Sequence, residues 1–120
     1  MYGVPKDLDL AAFQGSSLET ISLGPFIIYF RFAAEQPTAI GVEGDWELVA
    51  PDGTVVDRQM EPSKRDAYRI HVLLNRTVVG TEVAAPESFS LQFDNGFTLR
   101  VFDHSTQYES FSIQPGDLCV

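Results

Sequence analysis

The chain has 120 residues, 8 of them basic and 17 acidic, for a formal charge of −9, and 44% are apolar. That apolar share, spread evenly along the chain, excludes a disordered polymer, and no run of about 18 apolar residues is present from which a membrane helix could be built. The negative charge opposes nucleic acid as a partner, since neutralising phosphates takes a concentrated basic surface, and the single Cys119 excludes an internal disulfide or a multi-cysteine zinc site.

The opening Met1-Tyr2-Gly3-Val4-Pro5-Lys6-Asp7 has no basic stretch followed by an apolar one. A cytoplasmic address without membrane contact is therefore expected. Pro5 suits a first helical turn, Asp7 and Asp9 favour its positive end and Gly15 can close it, which predicts a short N-terminal helix. From Leu18 the spacing changes, and Leu18, Ile21 and Leu23 lead into a Gly24-Pro25 turn. Phe26, Ile28, Phe30 and Phe32 then alternate with Ile27, Tyr29 and Arg31, predicting a central strand with both faces largely apolar. After a polar loop over Ala33–Thr38, Ala39–Glu43 and Trp46–Ala50 read as short strands joined at Gly44-Asp45 and closed by a Pro51-Asp52-Gly53 turn. The pattern is weak over Val55–Pro62. Ser63 offers an N-cap, Ala67, Ile70, Leu73 and Leu74 recur at helical spacing, and Asn75 suits a left-handed terminator, so Lys64–Leu74 is predicted as the one substantial helix. Its other face, with Arg76 just beyond, holds Lys64, Arg65 and Arg69, half of the basic residues.

A second hairpin can be argued in register. A two-residue Asn95-Gly96 turn would set Phe93 opposite Thr98 and scatter the apolar rows over two faces. A three-residue loop, Asp94-Asn95-Gly96 with Gly96 left-handed, pairs Phe93 with Phe97, Leu91 with Leu99 and Phe89 with Val101, so that all six share a face. Burying that row stabilises by several kcal/mol at roughly 25 cal/mol per Å², which favours the longer loop. A last strand follows over Tyr108–Ile113.

The two halves look alike. Phe26, Ile28 and Phe30 match Phe89, Leu91 and Phe93; Ile40 and Val42 match Leu99 and Val101; Trp46-Glu47-Leu48-Val49 matches Tyr108-Glu109-Ser110-Phe111. The expectation is one α+β domain, mainly antiparallel β from two similar three-stranded units at about 18–53 and 78–117, with a linker helix and a short N-terminal helix. The run Phe89–Ile113, with its Leu-Gln-Phe-Asp-Asn-Gly-Phe-Thr-Leu-Arg-Val core, resembles the C-terminal signature of small bacterial β-rich proteins known only as domains of unknown function. Trp46-Glu47-Leu48 ahead of Pro-Asp-Gly is similar to their N-terminal half. Relatives of this build resemble immunity proteins of bacterial toxin systems, and the resemblance implies no catalytic residue.

Candidate chemistry is sparse. His104 lies near Tyr108, Glu109 and Ser110, yet no nucleophile elbow accompanies them, and a solvated loop histidine is the simpler reading. His71 has no second ligand at metal spacing, and Cys119 has no positioned base. No catalytic residue, cofactor or metal is expected. Glu43, Asp45 and Glu47 straddle a turn around Trp46 without the loop of a calcium site. These carboxylates either protect a strand edge or, with Trp46 as anchor, meet a basic protein; against the anchor, a lone tryptophan in a strand is more often core. Two functions stay in view. One is a non-catalytic binding module, most concretely an acidic immunity-type protein that blocks a basic toxin. The other is a small-molecule or metabolic accessory domain with a pocket between the units and Tyr29, Tyr108, His104 and Arg100 at its mouth. Dimerisation through a strand edge is a further option.

Overall fold

Period-two burial organises the chain. In the computed structural model, which describes residues 4–36, 38–60, 62–65, 67–103, 111–114 and 118–119, Ile28, Phe30 and Phe32 of β2 (Ile28–Ala33) are buried while Tyr29 and Arg31 are exposed. The same alternation buries Ile40 and Val42 of β3 (Thr38–Val42), Trp46 and Leu48 of β4 (Trp46–Val49), and Leu99 and Val101 of β8 (Thr98–Phe102). With β1 (Ser17–Leu23), β5 (Val55–Arg58), β6 (Val78–Ala84), β7 (Ser88–Phe93), β9 (Phe111–Gln114) and β10 (Leu118–Cys119), these strands form two antiparallel sheets. The first has the order β1-β2-β3-β9-β10 and the second β5-β4-β8-β7-β6. Their inner faces close on an aromatic seam: Phe32 stacks on Phe93 with ring centres 6.5 Å apart, and Phe89 meets Phe111 edge-on at 4.9 Å.

The chain runs the same course twice. A meander β1-β2-β3 lies in the first sheet, and the chain then crosses through Glu43–Asp45 to lay the β4–β5 hairpin on the second. The meander β6-β7-β8 lies in the second sheet, and β9–β10 cross back to the first. The correspondence extends to the segments ahead of each meander. Leu10, Phe13 and Leu18 are buried, as are Ile70, Leu73 and Val78 sixty positions on. Gly15 and Asn75, also sixty apart, are both left-handed at φ 82° and 69°. Where these segments meet, bonds come in reciprocal pairs. The Leu18 N–H donates to Arg76 O at 3.0 Å and the Val78 N–H to Ser16 O at 2.8 Å, while the Gly15 N–H donates to Val78 O and the Asn75 N–H to Leu18 O, both at 2.8 Å. The hydroxyls of Ser17 and Thr77 touch at 3.1 Å between them. Paired contacts of this kind are what a twofold relation between the halves produces.

The expected α+β class is overturned, because there is no α-helix among the described residues. Of the linker helix predicted over Lys64–Leu74 there is one 3-10 turn, Ile70–Leu73, while a second, Pro62–Lys64, reaches the segment only at its first residue. The cause is tertiary. Asp57 on β5 accepts the backbone N–H groups of Arg69 and Ile70 at 2.6 and 3.2 Å and the Arg65 guanidinium at 2.8 Å, which pins the segment to the sheet. Of the apolar residues that set the predicted stripe, Ile70 and Leu73 are buried but Ala67 and Leu74 are exposed. A spacing of three serves one tight turn as well as it serves a helix. The N-terminal helix is likewise replaced by turns, with Phe13 donating to Leu10 O and Gln14 to Ala11 O.

Four strands are not marked by the sequence pattern: β1, β5, β6 and β10. The predicted strand around Phe26 begins only at Ile28, and its outer face is solvated rather than apolar. The register also places Ile28, not Phe26, in the position of Phe89, since Ile28 pairs with Val42 as Phe89 pairs with Val101. Likewise Phe111, paired with Val42, holds the place of Trp46, paired with Val101. By contrast, the second hairpin has the expected register, Leu91 opposite Leu99 and Phe89 opposite Val101, with Gly96 at φ 86°. Of the predicted last strand, Phe111–Ile113 is present in β9, and Tyr108–Ser110 lie outside the described residues.

Candidate functional site

The alternation along β4 separates the residues of the acidic cluster. Trp46 points inward and is 2% exposed; its indole N–H donates to Gln59 Oε1 at 3.0 Å, and the Arg65 guanidinium sits over its ring at 5.7 Å. It belongs to the core, so it cannot be the surface anchor. Glu47 points outward on the second sheet and accepts from Arg100 Nη1 at 2.7 Å. Glu43 and Asp45 remain exposed on the crossing between sheets. The four residues are neighbours in sequence but face three directions.

Another aromatic stands beside that crossing. Because Ile28 pairs with Val42, Glu43 follows at the end of the first sheet that carries the β1–β2 turn. That turn holds Leu23, 51% exposed, Pro25, also exposed, and Phe26, 84% exposed. Its counterpart between β6 and β7 holds no exposed aromatic: Pro86 and Glu87 are exposed there, and buried Val4 donates its N–H to Pro86 O at 2.9 Å. Phe26 therefore presents the apolar surface that Trp46 does not. Sequence reasoning absorbed it into the alternating strand, although the Gly24-Pro25 pair directly before it marks a turn.

The outer face of the first sheet carries a depression of about 670 Å³. Across its floor Tyr29, Gly41 and Ser112 lie in one row of the register, and Arg31, Ala39 and Gln114 in the next. A Cβ at Gly41 would stand 2.8 Å from Tyr29 Cε1 and 2.9 Å from Ser112 Oγ, so the tyrosine ring leans over the bare glycine backbone. Glu19 and Glu35 stand on the rim. At the matching points of the second sheet lie Ser90, Arg100 and Glu47, where the ion pair occupies the space.

The mouth expected between the units does not form from its described members. Tyr29 is on the outer face of the first sheet and Arg100 on that of the second, with the core between them. His104, Tyr108, Glu109 and Ser110 lie outside the described residues. His71 is exposed, its Nδ1 3.2 Å from Tyr68 O, and among the described residues no three His, Cys, Asp or Glu side chains gather as a metal site. No helix among them is long and apolar enough to cross a membrane. No family model, curated protein or solved structure matches the chain.

Proposed function

We propose that the chain is a non-catalytic protein-binding module that engages a basic partner through the end of the sandwich carrying Glu43, Asp45 and Phe26, in the manner of an acidic immunity-type protein blocking a basic toxin. The observation that carries this reading is Phe26, a large apolar side chain 84% exposed beside carboxylates on a chain of charge −9. Aromatic side chains that enter a partner's pocket supply most of the energy of an interface, whereas surrounding charges steer encounter and reject wrong partners. The division fits this end of the molecule: Phe26 anchors, and Glu43 and Asp45 attract.

The test is retention of host proteins by immobilised chain at low and high salt. A basic protein held at low salt and released at high salt is expected. Phe26→Ser should weaken its capture by about tenfold or more, as loss of an anchor worth at least 1.4 kcal/mol does. Glu43→Lys should chiefly slow association. Retention unchanged in both variants would end this reading.

A further inference from the structure

The depression over Gly41 differs from the end that holds Phe26 in both position and chemistry, and we infer that it is a binding site for a neutral saccharide. The first argument is the contrast between the sheets. At equivalent points the second sheet carries Ser90 and the Arg100–Glu47 pair, whereas the first carries Gly41 and Ser112 with the Tyr29 ring leaning over the glycine, and the depression opens beside that ring. A volume of about 670 Å³ is that of a small-ligand site.

The second argument concerns what can recognise a ligand in the middle of a sheet. On the floor of the depression β2 and β3 are paired with neighbours on both sides, so binding there falls to side chains. An added peptide strand needs a free edge, and the floor, on β2 and β3, is not one. The side chains are Arg31, Glu19, Gln114, Ser112 and Tyr29. Guanidinium, carboxylate and amide are planar groups with paired donors or acceptors, the geometry that two adjacent ring hydroxyls answer. The Tyr29 ring, 47% exposed, offers its outer side to the C–H face of a sugar.

Charge favours the neutral class. Arg31 forms no ion pair among the described residues, but Glu19 and Glu35 share its rim, and the chain as a whole repels anions. A ligand rich in hydroxyls and without charge satisfies both kinds of group with no repulsion.

The full chain is titrated with cellobiose, maltose, lactose and N,N′-diacetylchitobiose while backbone amide resonances are recorded. At least one sugar should shift the amides of Gly41, Ser112 and Gln114 with millimolar affinity, unchanged between low and high salt. Tyr29→Ala should weaken that binding by roughly tenfold, about 1.4 kcal/mol. Gly41→Val, whose Cβ would displace the Tyr29 ring, should abolish it while native Trp46 emission reports an intact fold; if that variant unfolds, Tyr29→Ala carries the test. Phe26→Ser should bind sugar as the parent does, which separates this site from the protein-binding end. Absence of shifts with all four sugars, shifts centred elsewhere, or binding of acetate or glycine in their place would overturn the proposal.

Discussion

Asp57 holds four parts of the chain with two oxygens. One oxygen takes the Arg58 N–H at 2.9 Å and Arg65 Nη1 at 2.8 Å, and the other takes the N–H groups of Arg69 and Ile70. Arg65 in turn donates to the carbonyls of Arg58 and Ala67 and lies 3.9 Å from the centre of the Tyr68 ring. Both charged side chains are almost wholly buried, at 3% and 6% exposure. Removing one member of such a pair leaves a buried charge without its partner, so Asp57→Ala and Arg65→Ala should each cost about 3–5 kcal/mol in urea unfolding followed through Trp46 emission. The matching position in the other half, set by the pairing of Leu118 with Ile113 as Asp57 pairs with Leu48, is Leu118. The double variant Asp57→Leu with Arg65→Met should therefore recover part of the loss, though the N–H groups of Arg69 and Ile70 stay without their acceptor. Asp52 is an exposed contrast. Its carboxylate accepts the Thr54 N–H at 2.9 Å, and this bond holds its pKa below the usual aspartate range. A depressed carboxylate stabilises the fold at pH values above its unfolded pKa, and that contribution disappears as pH falls through the folded value. Thermal unfolding of Asp52→Asn should accordingly lose less stability than the parent on acidification through that window.

Among the elements, the β7–β8 hairpin was the most legible in sequence, because its register followed from a requirement that all six apolar residues share a face. Its loop rests on Gly96, left-handed at φ 86° and packed so that an added Cβ would stand 2.8 Å from Pro51 Cγ. Gly96→Val combines backbone strain of about 1–3 kcal/mol with that clash and should lower the thermal midpoint markedly. Adding Pro51→Gly should relieve the clash and leave the strain, so only part of the midpoint should return. The helix over Lys64–Leu74 was misread because the side chain that decides its shape, Asp57, is distant in sequence and no local periodicity reports it. Alternation also carries no record of which sheet a strand joins. Thus the pattern sets Ala39–Glu43 and Trp46–Ala50 as neighbours, whereas the three residues Glu43–Asp45 between β3 and β4 take the chain from one sheet to the other. Trp46 followed from that crossing into the core, and Phe26, read as strand, emerged on a turn.

For the whole molecule, the doubled course gives two frameworks of the same build with different exteriors. One outer face carries an ion pair and the other a depression; one terminal turn receives a bond from Val4 and the other bears exposed Phe26. Such differences between equivalent places show where this exterior departs from what the framework alone requires. The crossings β4–β5 and β9–β10 have a further mechanical consequence. Each half contributes the strands that extend the sheet begun by the other, so residues 1–60 cannot complete either sheet alone. Produced as separate polypeptides, 1–60 and 61–120 should stay largely unstructured until mixed and then regain sheet circular dichroism together at a rate that rises with concentration, as strand exchange between complementary pieces does.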